Sequence, residues 1–81
     1  MTGEIPQVTD RSSSGRSVPV SGLKLRTLRM NAGLGLRELA RRAGISPSFL
    51  SEIEHGTRFP SPPVAQRLAT ELGVAIIDLR R

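Results

Sequence analysis

The sequence predicts an all-α fold, five short helices preceded by a disordered N-terminal tail. Three observations predict it. Apolar residues between Leu23 and Leu79 recur at spacings of three and four, the period of a helix face. Helix starts and stops are written as Ser-Pro pairs and single glycines. No stretch shows the regular alternation of a half-buried strand.

The first 21 residues, MTGEIPQVTDRSSSGRSVPVS, are rich in Ser, Thr, Gly and Pro and carry no apolar period. Such a stretch buries too little to offset its ordering entropy, so residues 1–21 are expected to be a disordered tail. Arg11 and Arg16 would suit a minor-groove arm, but Glu4 and Asp10 cancel them. The helical pattern opens at Leu23, with Leu25, Leu28 and Ala32 on one face and Gly33 as the stop. Leu36–Ala43 forms the second helix, with a stripe of Leu36, Leu39, Ala40 and Ala43. Glu38 lies in its first turn, favourable to the helix dipole, and can pair with Arg42 at i+4. Ser46 is the N-cap of a third helix over Pro47–His55, and Pro47 sits where its missing N–H costs nothing. Gly56 supplies a left-handed cap. Ser61 is expected to cap the fourth helix, whose face is Val64, Leu68 and Leu72 beside Ala65 and Ala69, and Gly73 ends it. Ile76–Arg81 is expected to start a short fifth helix.

At 81 residues the chain holds one small domain, placed at residues 22–81. It contains no cysteine and one histidine, so neither a disulfide nor a zinc site is available. With no nucleophile and base brought together, no enzyme, no catalytic residue and no cofactor are expected. No apolar run reaches the ~18 residues of a membrane span and no secretory signal is present, so no membrane contact and a cytoplasmic location are expected. The formal charge is +5, and 11 of the 12 basic residues are arginine. The whole excess falls on residues 22–81. Arginine suits bidentate contacts to phosphate and guanine, which favours nucleic acid.

Two short helices around Ala43-Gly44-Ile45-Ser46 make a helix-turn-helix, over about residues 36–55, whose second helix is presented to a DNA major groove. On that helix Leu50, Ile53 and Glu54 point one way, and Ser48, Ser51, Glu52 and His55 form a polar stripe on the other. Ser48 and Ser51 can reach base edges. Glu52 can accept from a cytosine amino group or pair with a neighbouring arginine. Pro47 and Phe49 can meet a thymine methyl, although Phe49 can equally pack beneath the helix. His55 can touch phosphate or complement the helix dipole. Glu54 shares the apolar face, so it needs a partner, and Arg29 on the first helix is the candidate. Arg37 and Arg58 flank the stripe, and the first turn of the second helix offers free amides to a phosphate.

Gly33-Leu34, Leu39-Ala40, Ala43-Gly44-Ile45-Ser46, Leu50-Ser51, Ile53-Glu54, Gly56, Pro60-Ser61 and Leu72-Gly73-Val74 together resemble the phage repressor and Cro type of helix-turn-helix, also called the xenobiotic-response-element family. The resemblance covers about Leu23–Leu79. It implies a five-helix domain that binds double-stranded DNA sequence-specifically, usually as a homodimer on palindromic half-sites. It places base reading on Pro47, Ser48 and Glu52, and backbone contact on Leu36, Arg37, Ser46, His55 and Arg58. It also places the family's core ion pair on Arg29 and Glu54. The chain departs from the pattern at Gly35 and Leu36, where relatives often carry Ser or Thr followed by Gln. The Gln that clamps a phosphate is therefore absent, and Arg37 or backbone amides must replace it.

A transcriptional regulator is the leading expectation. Dimerisation would use Ile76, Ile77 and Leu79, and the domain would be joined to a further sensor or oligomerisation domain. The alternative is an antitoxin or adaptor, a protein-binding module on the same fold. Salt-sensitive DNA binding separates the two.

Overall fold

A computed structural model describes residues 17–81. The tail expected over residues 1–16 lies outside the described residues. Four α-helices and one 3-10 segment follow in order: α1 Gly22–Asn31, α2 Leu36–Ala43, α3 Pro47–Glu54, α4 Pro62–Leu72 and η1 Ile76–Leu79. α2 packs on α3 and α4, α1 packs on α3 and η1, and α4 packs on η1. None of the described helices is long and apolar enough to cross a membrane.

Two of the helices begin at serine caps. Ser21 Oγ accepts from the Lys24 N–H at 3.1 Å and caps α1. Ser46 Oγ accepts from the Phe49 N–H at 3.0 Å and caps α3, with Pro47 in the first turn. Gly44 terminates α2 at φ +76°, a left-handed conformation that costs a residue with a Cβ and lets the chain turn directly into α3. Glu38 in the first turn of α2 is bound by Arg41 and by Arg42, at 2.8 Å in the second case. These hydrogen bonds hold its carboxyl below the usual range.

Four details depart from the sequence expectation. The fifth helix is a 3-10 segment of four residues. The Asp78 carboxylate accepts from the Ala75 N–H at 3.0 Å, which tightens the turn. Arg80 is already extended, in a β-bridge with Val20, so no α-helix can continue there. The expected tail also ends too late. Val18 and Val20 are buried, the Val18 N–H donates to the Pro60 carbonyl at 2.8 Å, and the Ser21 N–H donates to the Leu79 carbonyl at 2.7 Å. Residues 18–21 therefore lie along the end of the chain as part of the core. Ala32, placed on the apolar face of α1, is its exposed C-cap. Finally, Ser61 occupies the N-cap of α4 but its hydroxyl caps nothing. It is buried and has no hydrogen-bond partner among the described residues.

The two serines therefore predict opposite results. Ser46→Ala removes a made hydrogen bond and should cost about 1 kcal/mol. Ser61→Ala removes an unsatisfied hydroxyl and should leave stability unchanged or slightly higher. Urea unfolding midpoints of the two variants check both signs. A loss at Ser61 comparable to that at Ser46 would mean the hydroxyl is bonded in solution.

The core is aliphatic apart from one aromatic ring. Leu25, Leu39, Leu50, Ile53, Leu68 and Leu79 are fully buried, and Phe49 lies among them. Val64, Ala65 and Ala69 supply the inner face of α4, with Leu72 partly buried beside them.

Candidate nucleic-acid interface

α3 projects two faces with different chemistry. Phe49, Leu50 and Ile53 go into the core. Ser48, Glu52 and His55 are exposed, and Pro47 and Ser51 are half-buried at the edge. Phe49 is 6% exposed, which corrects its candidacy as a base contact: the ring packs under the helix and cannot reach a groove.

The exposed stripe is internally braced. Glu52 faces Arg58 from the following loop at 3.2 Å, both side chains 47% exposed. Thr57 Oγ1 donates to the Glu52 carbonyl at 3.1 Å, which ties that loop to the helix end. His55 Nδ1 donates to the Ser51 carbonyl at 2.7 Å. A carbonyl can only accept, so Nδ1 carries the proton, and Nε2 of the neutral ring is an acceptor. Arg37 is exposed at the start of α2 and forms no ion pair among the described residues. Leu36 beside it is half-buried against the core. Ser46 is exposed at the turn while its oxygen serves as the cap.

Two anchors fix the helix that carries the stripe. Arg29 Nε and Nη2 grip the Glu54 carboxylate at 2.6 and 3.1 Å, and Nη1 donates to the Leu34 carbonyl at 3.0 Å. The Glu54 side chain is 5% exposed and that of Arg29 13%. Donating to the Glu54 carboxylate holds the guanidinium above its already high range. One fork thus joins α1, the loop after it and α3.

The second anchor escaped sequence reasoning. Gly22 lies so close to the end of α3 that a Cβ there would clash with the Glu54 carbonyl and lie 2.7 Å from the Ile53 oxygen. The obstacle is backbone at the end of α3, which cannot step aside as a flexible side chain would. Gly22→Ala should cost about 1–3 kcal/mol by overpacking, read as a lowered melting temperature. An unchanged melt would show that the two helices are free to separate. A glycine directly after an N-cap serine is the only trace of this contact in the sequence, since glycine is a poor helix residue there.

A family model described as a helix-turn-helix domain matches residues 22–81. The chain belongs to the helix-turn-helix domain family. This helix-turn-helix chain is 41% identical over 56 residues to the HTH-type transcriptional regulator DdrOP3 of Deinococcus deserti, covering 69% of the chain and 43% of that protein. It is 36% identical over 58 residues to the uncharacterized HTH-type transcriptional regulator YazB of Bacillus subtilis, covering 72% of the chain and 84% of YazB. Among solved structures it superposes on the clp gene regulator ClgR from Corynebacterium glutamicum with a TM-score of 0.68 and 37% identity, over 70% of this chain and 61% of ClgR. The N-terminal DNA-binding domain of SinR from Bacillus subtilis gives 0.65 and 32%, over 69% of this chain and 83% of that one. The chain spans about two fifths of the length of several curated relatives, 43% of DdrOP3 and 39% of the Mycobacterium tuberculosis regulator Rv0474.

The interface attributed to the last element needs one correction. Leu79 is fully buried and belongs to the core, so it cannot meet a second copy. Ile76 is half-buried, and Ile77 is 65% exposed.

Proposed function

We propose that this helix-turn-helix domain binds double-stranded DNA sequence-specifically, as the reading part of a transcriptional regulator of the phage repressor and Cro type. One observation carries the reading. α3 starts at a tight glycine turn, is locked from behind by Arg29 and Gly22, and turns Ser48 and Glu52 outward between Arg37 and Arg58. A helix so presented fits a major groove, its first turns toward base edges and cations toward the flanking phosphates. Relatives named as transcriptional regulators, and a neighbour known as a DNA-binding domain, support it.

In this reading Pro47, Ser48 and Glu52 meet bases, with Ser51 at the margin. Arg37, Arg58 and the amides beginning at Leu36 hold phosphates, with Ser46 donating its hydroxyl hydrogen. His55, at the end of α3, stands beside them. Ile77, with Ile76 beneath it, is the apolar contact for a second copy on paired half-sites. The domain includes residues 18–21 as well as 22–81, and further parts of a regulator would attach to it.

Titration of the chain on random and on selected duplexes, each at several salt concentrations, tests the reading. Tighter binding to the selected pool, with affinity falling steeply with salt for both, is expected. Equal affinity for both pools overturns sequence-specific binding. No salt-dependent binding at all would favour the protein-binding module.

A further inference from the structure

We propose that a basic cleft beside the end of α3 is a second clamp for the duplex backbone, gripping phosphates outside the groove that α3 enters. The proposal rests on the DNA-binding reading above. The cleft has a volume of about 350 Å³, and its walls include Val20, Lys24, Gly56, Phe59 and Arg81. Among the described residues Lys24 and Arg81 line it, and no Asp or Glu side chain does. Gly56 places it directly after α3, on the loop that carries Arg58.

Of the ten cations among the described residues, five are answered in place, and Lys24, Arg26, Arg37, Arg80 and Arg81 are not. Arg29, Arg41, Arg42, Arg58 and Arg67 each sit against a glutamate. Lys24 and Arg81 form no ion pair among the described residues. Both are nevertheless held in position. Lys24 Nζ donates to the Arg80 carbonyl at 3.1 Å, which leaves two of its three hydrogens free. The Arg81 guanidinium lies over the Phe59 ring, 5.3 Å from its centre. Stacking occupies the face of the guanidinium and leaves its N–H edge for an acceptor.

Positioned donors lining an open cleft, with no Asp or Glu side chain among its described walls, suit a phosphodiester better than a neutral ligand. The bridge between Val20 and Arg80 brings the two cations together by pairing residues 18–21 with residues 79–81. The clamp is thus a product of the pairing over residues 18–21 and 79–81.

The test compares the chain with its Lys24→Gln/Arg81→Gln double variant on a selected duplex, in long form and trimmed to the half-site, across a salt series. Arg26→Gln/Arg67→Gln removes the same charge outside the cleft and serves as the control. On the long duplex the cleft variant should keep its base preference, with the slope of log affinity against log salt shallower by about 2, one per phosphate lost. On the trimmed duplex the difference should vanish. A slope equal to that of the starting chain or of the control overturns the clamp, as does an equal loss on both lengths. If the double variant melts early, Lys24→Gln alone should flatten the slope by about 1 on the long duplex only. Failure of the unaltered chain to bind any duplex would overturn the DNA reading itself, and that outcome is separate from any result with the variants.

Discussion

Glu54→Ala should lower the stability of the domain by about 3–5 kcal/mol, and Arg29→Ala should do nearly as much. The cause is not simply the lost attraction. Arg29 and Glu54 are both largely withdrawn from water, and each relies on the other to offset its desolvation. Removing the carboxylate leaves a guanidinium under the helix with only the Leu34 carbonyl to accept from it. For a domain of this size the melting temperature should fall by at least about 12 °C, read by circular dichroism. The double replacement Arg29→Met/Glu54→Leu separates the pair's intrinsic worth from the penalty of an orphaned charge. Because apolar groups need no partner, it should be clearly more stable than either single variant. A single variant that melts with the unaltered chain would place Glu54 in water. Since Glu54 is two residues from Glu52, loosening it should also weaken duplex binding in proportion to the unfolding it causes.

Much of this arrangement was legible because it is local. Ser46-Pro47, Gly44 and the spacing of Leu36, Leu39, Ala40 and Ala43 act within a few residues, and so they fix α2, the turn and α3 from sequence alone. Glu54 was also legible, because a carboxylate beside Leu50 and Ile53 must find a cation. Contacts between distant segments left weaker marks. Val18 and Val20 alternate about Pro19, but two residues are too few to declare a strand until Arg80 pairs with Val20 and the Arg81 N–H reaches the Pro19 carbonyl. The same pairing made Leu79 a core residue, where isolated periodicity left it free for a partner. Ser61 misled for the opposite reason. Its position next to Pro62 is that of a cap, but its hydroxyl points into the interior instead of toward the helix amides. Phe49 illustrates the limit of a helical wheel. Its direction lies between the two faces, and only the packing of neighbouring elements decides that it is buried.

Glu52→Gln should tighten binding to random duplex DNA while reducing the preference for the selected site. In the free chain Glu52 is paired with Arg58, but at half exposure such a pair is worth no more than about 1 kcal/mol and is readily given up. In the proposed complex Arg58 would exchange the carboxylate for a phosphate, leaving Glu52 to face a polyanion. That position is repulsive on most sequences. It becomes acceptable where a cytosine amino group donates to the carboxylate. Glu52 therefore discriminates mainly by penalising the wrong site, which is why neutralising it should help random sequences most. One such contact is worth about 1–3 kcal/mol of discrimination, so the ratio of selected to random affinity should fall by roughly 5- to 150-fold. Arg58→Gln should behave differently, weakening all sequences alike and flattening the salt slope by about 1. Glutamine keeps the shape of the side chain, so the stability of Glu52→Gln should stay within about 0.5 kcal/mol of the starting chain. If both affinities instead change by the same factor, Glu52 is merely the counter-ion of Arg58, and base discrimination has to come from Pro47, Ser48 and the shape of the duplex.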